Sequence, residues 1–482
     1  MEQTVNATFK LNYKRTFLIG FAFFGILLLW QVYDSWCPTL LTELFMDAFN
    51  TASNEDVQYL VGVVMAMDNL AALILLPIFG ILSDKTNSKI GKRMPYIIIG
   101  TFVCAVAFPF IPVFFHYNNM VGVIVMMAIV VIFMMMYRNP AVALMPDLTP
   151  KPLRSKANGV INIMGYIGGA FATVVGIFFV LSEYLGTKMI TDDVGQQVLA
   201  PFTWAHNNIW ALEVPFLLAS VLMVISVVVL FFNIDENKVK AEIADDLELG
   251  EKLSATADEV DDDKPMSRAN RMMLILILAA VFFWFMADNG ISTFMGNFTI
   301  YYLKASTSSL MINTIVGGVG SVLGFGLGGM IAGKFGRKWT VLGGLGLTLA
   351  SYAVWIVGMF TFLSGAAGAG SFPTILWVIW FIKGFGMSLV HLNSFPMVVE
   401  LCNAKKIGAF TGYYYASSMA AQTITPIALG SLLLIDNIDW GFLPIYAAIC
   451  VIVAIIIFMF VKNVNVKKTD ILIGVDAFGD DI

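Results

Sequence analysis

The chain of 482 residues carries little charge for its length. Only 13% of its residues are Asp, Glu, Lys or Arg, whereas 59% are hydrophobic. Soluble domains usually carry about 25% charged residues. The mean hydropathy is +0.82, so the composition excludes an ordinary soluble domain and indicates a protein that lies largely in lipid.

Histidine and cysteine are also scarce, with 3 His and 4 Cys in the whole chain. The cysteines, Cys37, Cys104, Cys402 and Cys450, are too scattered to suggest a zinc site, a redox pair or a disulfide framework. The patterns GxxxxGK[ST], HExxH and GxSxG are absent from the sequence. We therefore predict neither an enzyme nor an ATP-driven pump, and no metal or other cofactor.

A glycine-rich run at 317–326 could be mistaken for a nucleotide-binding loop. Such a loop follows a β-strand, and no strand pattern precedes this run. Gly320, Gly324 and Gly328 are spaced four residues apart, which is typical of close packing between membrane helices. We interpret the run as a packing surface.

Long hydrophobic runs are abundant. A helix needs about 17–25 predominantly apolar residues to cross a bilayer, and we find twelve such runs. The sequence therefore predicts an all-α membrane protein with twelve transmembrane helices. They are placed near 15–36, 57–82, 94–115, 120–142, 157–182, 209–233, 271–303, 309–332, 338–363, 373–396, 407–434 and 440–461.

The positive charges predict the orientation, because cytoplasmic loops carry an excess of Lys and Arg. With the N-terminus inside, the outer loops hold only Lys188 and Lys304 of the 28 Lys and Arg. Both termini are therefore predicted to be cytoplasmic. The first apolar run is too long for a signal-peptide core and is not followed by an A-x-A-like site, so we expect it to remain as helix 1.

An acidic segment divides the chain. Residues 234–270 are rich in Asp and Glu, contain few aromatic residues and show no periodicity, which is typical of a solvated, partly disordered linker. We predict a six-helix bundle over 1–233, an acidic cytoplasmic linker over 234–270, and a six-helix bundle with a short cytoplasmic tail over 271–482.

The two predicted bundles repeat one another. Matching residues follow in chain order at a nearly constant separation, which indicates parallel repeats of the kind found in transporters whose halves move about a central site. The matches pair Trp30 and Asp34 with Trp284 and Asp288, Arg138 with His391, Asp147 with Glu400, and Asn158 with Thr411.

Several signatures carry a family resemblance. The stretch Gly80-Ile81-Leu82-Ser83-Asp84-Lys85, followed by Gly91-Lys92-Arg93, resembles the signature between helices 2 and 3 of the major facilitator superfamily. The stretch Arg138-Asn139-Pro140-Ala141, followed by Leu144-Met145-Pro146-Asp147-Leu148-Thr149, is more specific. It resembles the glycoside–pentoside–hexuronide:cation symporters, above all the branch with sucrose and other disaccharide proton symporters. The resemblance covers nearly all of 15–461 and implies a cavity lined by helices 1, 4, 7 and 10.

Two departures from that family bear on the ion and the sugar. The residues before Pro77, 71–76, lack the carboxylates that sodium-using melibiose-type relatives carry there, which favours H+ over Na+ as the co-transported ion. Plant sucrose carriers have a second arginine where this chain has Val142. The resemblance therefore does not identify the sugar.

Ionisable residues within the predicted spans fall on the same four helices. Asp34 lies on helix 1, Arg138 on helix 4, Asp288 on helix 7, and both Lys383 and His391 on helix 10. A charge inside a membrane marks a pathway, a partner or a substrate site, and acid–base pairs would relieve the cost of burial. For Arg138 two interpretations stay open: an ion pair with an acid on a neighbouring helix, or a part in substrate binding or gating.

The remaining candidates combine aromatic and neutral polar side chains. Trp30 and Asp34 share a helix face, as do Trp284 and Asp288. Each pair is either a sugar platform or part of an interfacial aromatic belt, since both lie towards the outer helix end in our prediction. The predicted substrate-binding residues are Trp30, Asp34, Arg138, Asn162, Trp284, Asp288, Asn289, Lys383, His391, Asn393, Tyr415 and Gln422.

Proton carriage is better suited to carboxylates and histidine than to arginine, which stays charged. The proton-coupling candidates are Asp34, Asp68, Asp288 and His391; a packing hydrogen bond is the alternative for Asp68. The predicted gate residues are Asp84, Lys85, Arg93, Asp147 and Glu400.

Together these observations predict a secondary active transporter, monomeric and multi-pass, in a plasma membrane such as the bacterial inner membrane. It would take up a neutral sugar, an α-linked disaccharide or glycoside, by proton symport with alternating access. Its partners would be the sugar and the bilayer, not nucleic acid. The alternatives are a uniporter, an exporter of another small solute, or a non-transporting sensor on a transporter scaffold.

Overall fold

The structure is a computed structural model that describes residues 10–51, 53–150, 153–179, 187–191, 197–201, 209–256, 266–360, 374–399, 401 and 407–462. Apart from one short hairpin, the elements of this part of the chain are helices. Those of the first half are α1 Tyr13–Phe49, a 3-10 turn Glu55–Val57, α2 Gln58–Lys85, α3 Met94–Ala107, α4 Phe110–His116, α5 Met120–Asp147, α6 Arg154–Phe178 and α7 Ile209–Asn233.

The acidic linker contains helices where we predicted a partly disordered segment without periodicity. They are α8 Glu236–Glu242 and α9 Ala244–Thr256. The Asp235 side chain accepts a hydrogen bond from the Lys238 backbone N–H at 3.0 Å, and such a cap favours a helix that begins at Glu236. The prediction for residues 236–256 was wrong because it weighed charge above these local signals.

The helices of the second half follow the linker. They are α10 Arg268–Asn297 with a π-helical turn Phe298–Tyr302, α11 Thr307–Phe335, α12 Arg337–Phe360, α13 Ile375–Val399, α14 Ile407–Leu432 and α15 Phe442–Met459.

Eleven helical stretches of the described chain are long and apolar enough to cross a membrane. Each of the twelve predicted runs contains a helix, but α14 is not among these eleven. At about 1.5 Å per residue, its 26 residues are long enough to span. Polar side chains such as Ser417, Gln422 and Thr423 lower its hydropathy, so the structure supports eleven of the predicted spans by this criterion.

Two predicted boundaries differ from the structure. Helix α1 continues through Pro38 to Phe49, well past the predicted end at 36, because membrane helices tolerate proline. Asp34 therefore lies near the middle of α1, not towards its end. The predicted single helix over 94–115 is interrupted around Pro109 into α3 and α4.

A two-stranded antiparallel hairpin is the exception to the all-α prediction. Strands β1 Thr187–Thr191 and β2 Gln197–Pro201 pair with Thr187 opposite Pro201. They lie between α6 and α7 in the chain, so they leave the helical architecture unchanged.

The chain divides into two compact units. The N-terminal unit is Met1–Val57 with Met67–Glu259, and the C-terminal unit is Gln58–Ala66 with Val260–Ile482. In the N-terminal unit α1 packs against α6 and α7, and α3 packs against α5. The buried rings of Phe108 and Phe216 lie 4.7 Å apart, and the Tyr137 hydroxyl donates to the Ala22 carbonyl.

The C-terminal unit is built from the corresponding pairs of helices. Helix α10 packs against α14 and α15, and α13 packs against α11 and α12. Close contact of α11 with α13 requires glycine: a Cβ on Gly320 would lie 2.2 Å from the Phe381 carbonyl oxygen. This confirms the interpretation of the glycine run as a packing surface, since α11 is one continuous helix there.

The first residues of α2 belong to the C-terminal unit. The Asn297 amide donates to the Gln58 Oε1 at 3.0 Å, and both side chains are buried. A Cβ on Gly62 would lie 2.1 Å from the Pro426 carbonyl oxygen. The beginning of α2 therefore packs closely within that unit.

Candidate functional site

The N-terminal unit holds a cluster of three charged side chains from three helices. Asp34 comes from α1, Asp68 from α2 and Arg138 from α5. Arg138 interacts electrostatically with both carboxylates, and the carboxylates interact with each other. Two carboxylates thus lie within electrostatic range of one guanidinium.

The two carboxylates of this cluster differ in their surroundings. Asp68 is 8% exposed, and its Oδ1 accepts hydrogen bonds from the backbone N–H and the side-chain amide of Asn69 at 2.5 and 2.8 Å. Asp34 is exposed. Its backbone carbonyl lacks the usual helical donor because Pro38, four residues later, has no N–H. Asp34 is thus the more exposed of the two carboxylates.

The C-terminal unit holds a second charged cluster. Lys383 Nζ on α13 lies 2.5 Å from Asp288 Oδ1 on α10, and both side chains are largely buried. His391, two turns further along α13, interacts electrostatically with both of them. The predicted complementarity of acids and bases is thus present within each unit. In the C-terminal cluster one acid, Asp288, forms an ion pair with one base, Lys383.

A series of aromatic ring contacts begins at His391. Its imidazole lies 5.2 Å from the Phe285 ring, measured between centroids, and the Tyr414 ring is 6.4 Å from Phe285. Tyr415 lies 5.9 Å from Tyr414 and is exposed. The Tyr414 hydroxyl shares a 3.0 Å hydrogen bond with Ser394. The imidazole thus adjoins the Phe285 ring, and ring contacts continue from Phe285 to Tyr414 and the exposed Tyr415.

Three of the predicted neutral hydrogen-bonding residues bond to their own helices. The Asn162 amide donates to the Asn158 carbonyl at 2.8 Å, Asn393 to Leu389 at 2.8 Å, and Gln422 to Ser418 at 3.2 Å. Asn289 differs, because its Oδ1 is buried and without a hydrogen-bond partner among the described residues. Asn393 is also buried, which makes it a packing residue in this structure.

The structure corrects the expectation for Trp284. Its side chain is 0% exposed and packs against the Phe458 ring at 6.1 Å. It lies in the hydrophobic core of the C-terminal unit, so in this conformation it is neither a sugar platform nor a lipid-facing belt residue. Trp30 is half-buried with its ring 5.4 Å from Tyr33. The repeated sequence pattern predicts which residues share a helix face with each tryptophan. It does not predict which residues of other helices pack against that face.

Three of the predicted gate residues, Asp84, Arg93 and Asp147, form an ion-pair network at the end of α2. Arg93 donates to Asp84, to Asp147 Oδ2 at 2.8 Å and to Ser83 Oγ at 2.5 Å. Lys92 Nζ lies 3.0 Å from Asp147 Oδ2. The Arg93 side chain is 5% exposed, whereas Asp84 is 57% and Asp147 22% exposed.

Two further residues, Lys85 and Glu400, were predicted to belong to the gate. Lys85 is exposed and makes no ion pair with any residue that the structure describes, so the structure does not place it in the network. Glu400 lies outside the described residues.

The sequence did not indicate three further buried polar contacts. Glu236, at the start of α8, accepts hydrogen bonds from the backbone N–H groups of Arg93 at 2.9 Å and Met94 at 3.4 Å. His116 on α4 lies 3.8 Å from Glu213 on α7, and Tyr352 on α12 interacts electrostatically with Lys383. No local motif marks these residues, because each contact joins segments that are far apart in sequence.

No group of three or more His, Cys, Asp and Glu within the described ranges is arranged to hold a metal ion. The clusters can instead hold charge, exchange protons and donate hydrogen bonds.

A protein with eleven candidate spans is a multi-pass membrane protein. The chain belongs to the major facilitator superfamily, whose family model matches residues 3–173 and 277–474. It is therefore a membrane transporter by family. A search of curated proteins by sequence finds no match.

Solved structures share the fold at low sequence identity. The xylose transporter XylE from E. coli, in a partially occluded inward-open conformation, has a TM-score of 0.64 and 14% identity, over 93% of this chain and 98% of that one. A D-xylose-proton symporter has a TM-score of 0.60 and 17% identity, over 94% and 99%. The nucleoside transporter NupG has a TM-score of 0.61 and 13% identity, over 93% and 98%. These likenesses show the fold alone.

Proposed function

We propose that this chain is a secondary active transporter that takes up a neutral sugar by proton symport with alternating access. The substrate class is an α-linked disaccharide or glycoside, as the glycoside–pentoside–hexuronide:cation symporter signatures around Arg138 and His391 imply. The protein works as a monomer in a plasma membrane such as the bacterial inner membrane. It needs no cofactor beyond the co-transported proton.

The charge balance of the N-terminal cluster carries this proposal. When both carboxyl groups are ionised, Asp34 and Asp68 carry two negative charges against the one positive charge of Arg138. An uncompensated charge within a membrane span is costly, and one bound proton removes it. Because Asp34 is the exposed carboxylate, it is the residue at which we place the exchanged proton.

The C-terminal cluster supports a different role. The Asp288–Lys383 pair is already neutral as a unit, so it has less need of a proton than the N-terminal cluster. His391 lies against the Phe285 ring, and the ring contacts continue through Tyr414 to the exposed Tyr415. Aromatic faces and hydrogen-bonding groups suit the two surfaces of a pyranose ring. We place sugar contacts here.

The similar solved structures support a proton-coupled sugar carrier in part. One is a D-xylose-proton symporter, but another is a nucleoside transporter and a third is a peptide transporter. The fold therefore leaves the substrate open, and the sugar assignment depends on the signatures together with the His391 surroundings.

Uptake by proteoliposomes under an imposed pH gradient tests the proposal. With an acidic exterior, radiolabelled maltose or sucrose should accumulate above its external concentration, and a protonophore should abolish the accumulation. Asp34→Asn should lose accumulation but keep sugar exchange, whereas the exposed Asp436→Asn serves as the matched control and should accumulate like wild type. Sugar uptake that ignores the gradient would indicate a uniporter, and no sugar uptake would reject the substrate class.

A further inference from the structure

We propose that Glu236, the first residue of linker helix α8, is a positioning residue for the Arg93 network at the end of α2. This inference deepens the proposed function, since the network is the predicted inner gate. It rests on contacts that lie entirely within the N-terminal unit.

The Glu236 carboxylate lies at the start of α3. Glu236 is 2% exposed although it follows a membrane helix and begins an acidic linker. Its Oε2 accepts from the backbone N–H of Arg93 and, more weakly, of Met94. These are the first amides of α3, and Pro95 next to them has none. Since the first N–H groups of a helix have no partner within it, Glu236 caps α3 from a distant part of the chain.

The turn before α3 leaves room for this carboxylate. Gly91 has φ +102°, and a Cβ on it would lie 2.2 Å from Glu236 Oε2. Asn237 adds a second attachment, because its side-chain amide donates to the carbonyls of Ser88 and Lys89 at 3.1 Å each. Helix α8 is thus fastened to the turn on both sides of Gly91.

The cap on the Arg93 amide also bears on the position of the Arg93 side chain. Its guanidinium bonds to Ser83, Asp84 and Asp147 at once, and such multiple bonding depends on where the Arg93 backbone sits. Glu236 holds the Arg93 backbone N–H. Arg93 is therefore fixed at both ends, by the linker at its amide and by the gate at its guanidinium. Within the part of the chain that the structure describes, the Glu236 carboxylate bonds to backbone N–H groups and not to the gate side chains.

The test measures access to the buried centre of the network, so it needs no sugar. Ser83→Cys is introduced after the four native cysteines have been replaced by alanine, and its rate of alkylation by a maleimide is followed in membrane vesicles. With Glu236→Ala we expect alkylation about tenfold faster. With Glu236→Gln, which keeps an acceptor oxygen, we expect an increase of about threefold or less. Asp245→Ala, an exposed acid of α9, is the matched control and should leave the rate unchanged.

A second comparison separates positioning from general loosening. If Glu236 acts through Arg93, then Arg93→Ala already opens the network, and Glu236→Ala should add no further increase in that background. An additive increase, an unchanged rate in Glu236→Ala alone, or an equal increase in Asp245→Ala would each overturn the proposal. If the wild-type protein takes up no sugar, the proposed function is rejected. The alkylation rates would still test the role of Glu236, because they do not depend on sugar.

Discussion

Lys383 Nζ lies 2.5 Å from Asp288 Oδ1, so a full ion pair joins α13 to α10 inside the C-terminal unit. Both residues lie in candidate membrane spans, where neither charge can be hydrated as it is in water. Removing one partner leaves the other charge buried and uncompensated, which typically costs about 3–5 kcal/mol.

The first prediction follows from that pair. Lys383→Met should lower the melting temperature and the yield of folded protein in detergent, because Asp288 then lacks its counter-charge. Asp288→Asn combined with Lys383→Met should recover most of the loss, since no buried charge remains. A double variant that is as unstable as Lys383→Met alone would show that the pair does not act through charge.

The second prediction concerns which carboxylate of the N-terminal cluster is open to solutes. A hydrophobic carbodiimide reacts with protonated carboxyl groups, so it should label Asp34 before Asp68, which is 8% exposed and bonded to Asn69. Labelling should decrease as the pH rises, because the carboxylate form does not react. Peptide mass spectrometry measures the site, and Asp34→Asn is the control that should remain unlabelled. Preferential labelling of Asp68 would contradict the assignment of the exchanged proton to Asp34.

Much of this architecture could be predicted from the sequence, and the reasons are local. Runs of apolar residues predict the helices, and the repeats pair Asp34 with Asp288 and Arg138 with His391. Neighbours were harder to predict. Nothing near Trp284 in the sequence indicates that its ring packs against Phe458, because that contact depends on the packing of α10 against α15.

Helix ends and caps formed by distant residues were also not predicted from the sequence. Pro38 lies inside α1, and a proline pattern alone does not distinguish a kinked membrane helix from a helix end. Glu236 was one acid among many in an acidic segment. Only its position against Arg93, more than a hundred residues away, distinguishes it.

The third prediction ranks the members of the Arg93 network. Arg93→Ala should reduce the melting temperature most, because its 5%-exposed side chain holds two carboxylates and Ser83. Asp84→Asn should have a small effect, since exposed ion pairs contribute about 0–1 kcal/mol and Asp84 is 57% exposed. Asp147→Asn should fall between them. Melting curves of the three purified variants give the order, and an effect of Asp84→Asn equal to that of Arg93→Ala would refute it.

The fourth prediction compares two glycines with positive φ. Gly91 has φ +102° and a Cβ there would meet Glu236, whereas Gly336 has φ +83° with nothing within 4 Å of its Cβ position. An alanine at either position strains the backbone, by about 1–2 kcal/mol. Gly91→Ala must also displace the Glu236 carboxylate, so it should destabilise the protein more than Gly336→Ala. Equal melting temperatures for the two variants would mean that Glu236 yields without cost.

The last prediction separates two faces of α11. A Cβ on Gly320 would lie 2.2 Å from the Phe381 carbonyl, and Gly324 faces the Ser388 hydroxyl and the Phe385 carbonyl just as closely, whereas Gly318 has nothing within 4 Å. Gly320→Leu should therefore force α11 away from α13 and abolish folding or transport. Gly318→Leu, on the open side of the same helix, should be tolerated, because no atom lies within 4 Å of its Cβ position. Size-exclusion profiles of the two detergent-solubilised variants measure the difference. Similar profiles would show that close contact between α11 and α13 is not required for the fold.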